Sequence, residues 1–78
     1  MNQWLSQRAD ALAEAAQIDR ETLELEPRDI ETLLDLASFA AHESGARPNA
    51  PLLCYLVGRS QGAGKRLDEL AEIVRSTS

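Results

Sequence analysis

The sequence predicts an all-α fold, a compact four-helix bundle with a central helix-turn-helix hairpin, in one domain covering residues 1–78. Apolar residues recur at spacings of three and four in four segments, which is the pattern of amphipathic helices. Prolines and glycines fall between those segments. Trp, Tyr and Phe occur once each, so the core has to be built mainly from Leu, Ala, Ile and Val.

The first helix is predicted at residues 3–16. Asn2 is suited to cap its N-terminus, because an Asn side chain accepts a hydrogen bond from a free amide of the first turn. Trp4 is expected at the core or its edge, where its size would cover a thin alanine surface. The predicted inward stripe consists of Leu5, Ala9, Leu12, Ala13 and Ala16.

An acidic connection is predicted at residues 17–28, with Asp19 capping one short turn. Pro27 interrupts any continuous helix there, because proline lacks an amide proton. The second helix is predicted at residues 29–44 and stops before Gly45, which accepts the left-handed conformation. Its apolar stripe consists of Ile30, Leu33, Leu34, Ala37, Ala40 and Ala41, widened by Leu36.

The third helix is predicted at residues 51–62, after an extended turn containing Pro48. Pro51 is placed at the first helical position, where no amide donor is needed. Residues 52–57 are apolar on all sides, which predicts that this helix is the central one. Close packing is expected at Gly58, because glycine in a helix otherwise costs about 1 kcal/mol relative to alanine.

The fourth helix is predicted at residues 65–75, after a stop at the glycines of residues 62–64. Asp68 and Glu69 in its first turn and Arg75 in its last turn match the helix dipole at both ends. The side chains predicted to point inward are Leu67, Leu70, Ala71 and Val74.

Charge is unevenly distributed along the chain, whose net charge is -5. Residues 1–43 carry ten acids and three bases, whereas residues 44–78 carry three acids and five bases. This asymmetry predicts a small cationic region that contacts a protein partner or an anion. Ordinary solvated side chains are the alternative interpretation, and four bases are too few for a nucleic-acid surface. The candidate contact residues are Arg47, Arg59, Lys65 and Arg66, with His42 beside them.

No catalytic, cofactor or metal site is predicted. Residues 62–65 read Gly-Ala-Gly-Lys, but the glycine spacing, the Arg that follows and the lack of a preceding strand do not fit a phosphate-binding loop. Asp35 and His42 lie about two helical turns apart, too far for a relay, so His42 is expected to contact carbonyls at the helix end or the turn at Arg47. Cys54 is interpreted as a small buried hydrophobic residue.

The predicted compartment is the cytoplasm. Cys54 is the one cysteine, so no internal disulfide can form and a reducing environment is expected. The first residues do not resemble a secretion signal, and no apolar run reaches the roughly 20 residues that cross a bilayer.

Several residues resemble the pattern of a small bacterial helical domain of unknown function, which occurs alone or as a C-terminal appendage of the molybdenum cofactor guanylyltransferase. This resemblance implies a link to the maturation of molybdopterin guanine dinucleotide cofactors, without implying any catalytic residue. The residues that carry it are Leu34, Asp35, Leu36, Ala37, Ala41, His42, Arg47, Pro48, Ala50, Pro51, Leu56, Gly58 and Gly62, with Trp4 near the start.

Three functions therefore stay open. The first is a non-enzymatic module that binds a protein in molybdenum cofactor maturation through the turn at Arg47 and the basic residues. The second is a module that binds the phosphates of a small ligand at the start of the third helix. The third is a homodimer in which the surface at Trp4 or Leu52 completes a small core.

Overall fold

A computed structural model describes residues 1–77, which form four α-helices and one short 3-10 helix, with no β-strand among them. The predicted all-α fold class with four helices is therefore confirmed. The helices are α1 (Gln3–Ala16), α2 (Pro27–Ser44), α3 (Asn49–Gln61) and α4 (Leu67–Ser76), and the 3-10 helix is Arg20–Leu23.

The chain forms two compact units, an N-terminal unit of residues 1–30 and a C-terminal unit that starts at Glu31. The N-terminal unit buries Ala9 and Ala13 of α1. The prediction of a single domain stays a prediction.

The helix of the N-terminal unit has the predicted bounds, because local hydrogen bonds define its ends. The Asn2 side chain accepts a hydrogen bond from the Leu5 amide at 2.8 Å. Gln17 closes the helix in the left-handed conformation, at φ 57°. The predicted turn at Asp19 is also present, since its carboxylate accepts a hydrogen bond from the Glu21 amide at 3.2 Å.

Helix α2 begins two residues earlier than predicted, because Pro27 starts the helix instead of preventing it. Proline is suited to this first position, where its fixed φ is helical and its missing amide proton has no role. The Asp29 carboxylate accepts a hydrogen bond from the Glu26 amide at 3.1 Å, which also stabilises the start of the helix. At the other end, Gly45 follows the helix with φ 72°, as the sequence predicts.

Helix α3 also begins two residues early, so Pro51 is its third residue and not its first. The missing amide is tolerated there because the first amides of a helix have no intrahelical acceptor. Helix α4 begins two residues later than predicted. Gly64 has φ 91° and Arg66 is extended, and these conformations keep residues 65 and 66 out of the helix.

The core of the C-terminal unit lies where α2, α3 and α4 each contribute apolar side chains. Leu36 of α2 is fully buried, and it packs with Val57 of α3 and with Leu67 and Ala71 of α4. The half-buried side chains around this cluster are Leu33, Leu53, Leu70 and Val74.

Candidate functional site

The C-terminal unit contains an apolar groove of about 330 Å³ between the end of α2 and the start of α3. It lies beside the turn that joins these helices, so the short connection at residues 45–48 determines how far apart the walls stand. Glu43 is the one charged side chain among its lining residues. The groove is lined by Phe39, Ala40, Glu43, Ser44, Asn49, Leu52, Leu53 and Leu56.

One side of α3 is exposed along the groove. Leu52, Tyr55 and Leu56 are 60%, 66% and 57% exposed, and their spacing places them on one stripe of the helix. We call these three side chains the α3 face. Exposed apolar side chains are ordinary when they are scattered, but a contiguous group beside a groove is typical of a binding surface.

The prediction that α3 is a central, buried helix is therefore wrong. Only Val57 of α3 is buried, whereas Leu53 and Cys54 are half-buried. Close packing at Gly58 is also absent, because a β-carbon built on this glycine would have no neighbouring atom within 4 Å. Six consecutive apolar residues are compatible with a buried helix, but burial also requires enough neighbouring helices to surround it.

The four predicted cations are spread over the turn before α3, the last turn of α3 and the connection that follows it. Arg47 lies in the turn before α3 and Arg59 in its last turn, and the ten residues of helical rise from Asn49 to Arg59 alone span about 15 Å. The guanidinium of Arg59 lies over the Tyr55 ring, 5.8 Å from its centroid. Lys65 and Arg66 belong to the connection between α3 and α4.

Arg66 is the one of the four predicted cations that forms ion pairs among the described residues. Its guanidinium donates hydrogen bonds to both carboxylate oxygens of Asp68, at 2.8 and 3.1 Å, and lies 3.5 Å from a Glu69 oxygen. These contacts lower the pKa of the Asp68 carboxyl and raise the pKa of Arg66. Among the described residues, no carboxylate forms an ion pair with Arg47, Arg59 or Lys65.

His42 and Cys54 both make contacts that suit structural roles. The Nδ1 atom of exposed His42 lies 2.8 Å from the Ser38 carbonyl oxygen and 3.3 Å from the Ser38 hydroxyl, so the predicted contact with a carbonyl is present. The Cys54 thiol donates to the Leu33 carbonyl across 3.9 Å. Partial burial raises the pKa of this thiol, which favours the protonated form and disfavours a nucleophilic role.

Trp4 lies at the surface of the N-terminal unit and not in a core, because 63% of its area is exposed. The Arg8 guanidinium stacks over its ring at 4.3 Å from the centroid. The predicted stripe of α1 is also only partly buried, since Leu5, Leu12 and Ala16 are exposed. Alanines bury little area, and this helix therefore has a shallow buried side.

The sequence does not predict the groove or the position of Glu43 in its lining. Phe39 and Glu43 lie one helical turn apart near the end of α2, close to the short connection to α3. The sequence cannot show the groove, because an apolar run predicts only burial, whereas the groove depends on the distance between two helices.

A family model covers residues 1–78 and is described as Domain of unknown function (DUF6457). The chain belongs to this family. No curated protein and no solved structure matches it. Within residues 1–77, no three His, Cys, Asp or Glu side chains are grouped so that they could hold a metal ion. None of the described helices has the length and apolarity that a membrane crossing requires.

Proposed function

We propose that this DUF6457 chain is a non-enzymatic interaction module that binds protein through the α3 face and the adjoining groove. The observation that carries this proposal is the exposure of Leu52, Tyr55 and Leu56 beside an apolar depression. Removing such side chains from water is favourable by about 25 cal/mol for each Å² of apolar area, and this gain has to exceed the entropy cost of association. Arg47 and Arg59, near the two ends of α3, are the cations placed to select a partner by charge.

The cellular setting that we propose is molybdenum cofactor maturation, on the basis of the sequence resemblance. In this setting the partner is a maturation enzyme, with the molybdenum cofactor guanylyltransferase as the first candidate. In this setting the module would act by positioning or stabilising the enzyme.

The test is direct binding of the purified chain to purified molybdenum cofactor guanylyltransferase, measured by calorimetry. Replacing Leu52 and Leu56 by Ser is expected to weaken binding at least tenfold, because both anchors lose their apolar contact. The matched control replaces Leu34 and Ile73, which are 66% and 59% exposed outside the α3 face, and should leave affinity unchanged. Equal loss in both double variants, or no binding by the wild type, would contradict the proposal.

A second measurement separates protein binding from ligand binding. The Arg47→Ala and Arg59→Ala double variant should bind the enzyme more slowly and with weaker salt dependence, because cations at a rim mainly affect the association rate. Titration of the isolated chain with guanine nucleotides should leave the NMR signals around Arg47 unchanged. Saturable shifts at these residues would favour the phosphate-ligand hypothesis instead.

A further inference from the structure

The lining of the groove between α2 and α3 changes from apolar to polar along its length. Phe39 and Leu53 are half-buried within it, and the exposed side chains of Leu52 and Leu56 also line it. The polar lining residues are those nearest the connection at residues 45–48, namely Glu43, Ser44 and Asn49. An occupant of the groove therefore needs an apolar part for one end and a polar part for the other.

Glu43 determines the charge of that polar part, because it is the one charged side chain in the lining. Its carboxylate forms no ion pair among the described residues, and Arg47 lies in the adjoining connection without lining the groove. The Ser44 hydroxyl, in contrast, already donates to the Ala40 carbonyl oxygen. An occupant that covers the carboxylate removes part of its water, and a cation on the occupant offsets this cost. A lysine or arginine therefore complements this end of the groove.

The volume of the groove limits how many apolar side chains it can hold. A cavity of about 150 Å³ accommodates a benzene ring. The groove, at about 330 Å³, therefore accommodates about two apolar side chains. Two large side chains bury about 300–500 Å², whereas each folded partner in a specific complex buries about 800 Å². The groove by itself thus fits a short segment with two anchoring side chains and not the face of a second globular domain.

The walls of the groove favour an α-helical segment over an extended one. An extended segment needs partners for its backbone amides and carbonyls, and apolar side chains on two helices do not supply them. An α-helix pairs these groups internally and presents side chains three and four residues apart on one stripe. An amphipathic helix in an apolar groove is a recurrent mode of peptide recognition.

We infer that the groove binds an amphipathic α-helical segment of the partner, with two apolar side chains one turn apart and a lysine or arginine about one further turn along. The apolar pair enters between Phe39 and Leu56. The cation pairs with Glu43, which lies about 6 Å beyond Phe39 along α2 by helical rise. This inference rests on the proposed function, because it specifies which part of the protein partner occupies the same surface.

The test is selection of peptides by the purified full chain from a displayed library. The library varies the residues on one face of an alanine-rich peptide of about 18 residues, a length that permits helix formation in isolation. Enriched peptides should carry two apolar residues one turn apart and a lysine or arginine one turn farther. The same library presented to Glu43→Lys should enrich aspartate or glutamate at that last position.

Glu72→Lys is the matched control for this selection, because it makes the same change in net charge on the exposed surface of α4, outside the groove. It should enrich the same basic peptides as the wild type. Three results would overturn the inference: no enrichment, a basic residue that persists with Glu43→Lys, or the same loss of basic residues with Glu72→Lys.

A charge-swap cycle with one enriched peptide tests the contact directly, by NMR titration of the isotope-labelled chain. Replacing the peptide cation by glutamate should raise the dissociation constant about tenfold, and Glu43→Lys should do the same for the original peptide. The two changes together should restore it to within about threefold of the original pair. Losses that add without rescue would overturn the inference.

The same spectra locate the peptide and detect other occupants. Leu56→Ser should raise the dissociation constant at least tenfold, whereas Ile73→Ser, a side chain of similar exposure on α4, should leave it unchanged. Groove signals that shift with chain concentration in the absence of peptide would assign the groove to a second copy. Peptide-induced shifts confined to other surfaces would assign the binding elsewhere. Either result would overturn the inference.

The inference and the proposed function fail in different ways. An enzyme that binds through Leu52 and Leu56 but is unaffected by Glu43→Lys would retain the interaction function and exclude the cationic segment. Peptides that follow the charge-swap pattern, together with a guanylyltransferase that does not bind, would retain the groove specificity and remove the maturation partner. Circular dichroism of each variant verifies that its helices are intact.

Discussion

The two units of the chain are stabilised by different kinds of interaction. In the N-terminal unit, α1 buries two alanines, while side-chain caps at Asn2 and Asp19 and the contacts of Arg20 with Asp10 and Glu24 organise the backbone. In the C-terminal unit, apolar side chains from three helices meet around Leu36. The comparison teaches that local polar contacts can define where a helix begins and ends, whereas a shared core requires side chains from distant parts of the sequence.

The largest effect is expected in the core of the C-terminal unit. Leu36→Ala should lower the free energy of unfolding by about 2–5 kcal/mol, because it removes buried methyl groups and leaves a cavity. Leu34→Ala is the matched control, since Leu34 lies two residues away on the same helix but is exposed, and it should cost less than about 1 kcal/mol. Urea unfolding followed by circular dichroism measures both. Similar losses in the two variants would show that the buried cluster does not dominate stability.

In the N-terminal unit, the largest expected effect comes from a hydrogen bond at a helix end. Asn2→Ala should destabilise α1 by about 1 kcal/mol, because the Leu5 amide loses its acceptor. Asn2→Asp is the control, since a carboxylate preserves the cap and also suits the helix dipole. Amide hydrogen exchange in the first turn of α1 measures the difference. Protection that is unchanged in Asn2→Ala would contradict the role of the cap.

The difference between local caps and a shared core explains which features of the fold can be predicted from the sequence. The bounds of α1 were predicted correctly because Asn2 is a local signal that needs no knowledge of packing. The central position of α3 was predicted wrongly, because its apolar residues are visible in the sequence but the number of helices around them is not. The sequence predicts that Pro27 interrupts a helix and that Pro51 starts one. Pro27 instead starts α2, where the Asp29 carboxylate accepts a hydrogen bond from the Glu26 amide. Pro51 is the third residue of α3.

Some features of the candidate site can likewise be predicted from the sequence, and others cannot. The sequence shows which residues are cations. Only the structure shows that Arg47 and Arg59 lie near opposite ends of α3 and that Arg66 pairs with Asp68. The groove depends on the spacing between α2 and α3 beside the turn, which no residue pattern specifies. In the sequence Glu43 is one of ten acids in residues 1–43, and only the structure shows that it lines the groove.

The ends of α1 and α2 allow opposite substitutions, Gln to Gly and Gly to Gln, to be compared. Both helices are followed by a residue in the left-handed conformation, Gln17 with φ 57° and Gly45 with φ 72°. Gln17→Gly should stabilise the end of α1 by roughly 0.5–1 kcal/mol, because glycine adopts this conformation without a steric penalty. Gly45→Gln should destabilise the end of α2 by a similar amount.

Thermal unfolding of the two variants measures these opposite shifts. Gly58→Ala is a useful third variant, because this glycine lies inside α3 with open space around it. Alanine there should stabilise the helix by about 0.5–1 kcal/mol. A loss of stability in Gly58→Ala would show that another residue packs closely against Gly58, and it would support the prediction of tight packing there.

The smallest expected effect concerns the polar contact at the start of α4, where the C-terminal unit uses the same kind of interaction as the N-terminal unit. Arg66 lowers the pKa of the Asp68 carboxyl below its ordinary value of 3.8 by hydrogen bonding to both oxygens. The pair therefore contributes stability above pH 3.8, and that contribution is lost as the pH falls through the lowered pKa of the folded state.

Arg66→Gln should raise the pKa of Asp68 toward 3.8, measured by NMR titration of its carboxyl carbon. Lys65→Gln is the matched control, because it removes a neighbouring cation that forms no ion pair in the described chain, and the pKa of Asp68 should then change little. Both side chains are exposed, so added salt should reduce the difference between the variants. An Asp68 pKa that is equally low in Arg66→Gln would mean that the backbone amide of Glu69, which also donates to this carboxylate, is the dominant cause.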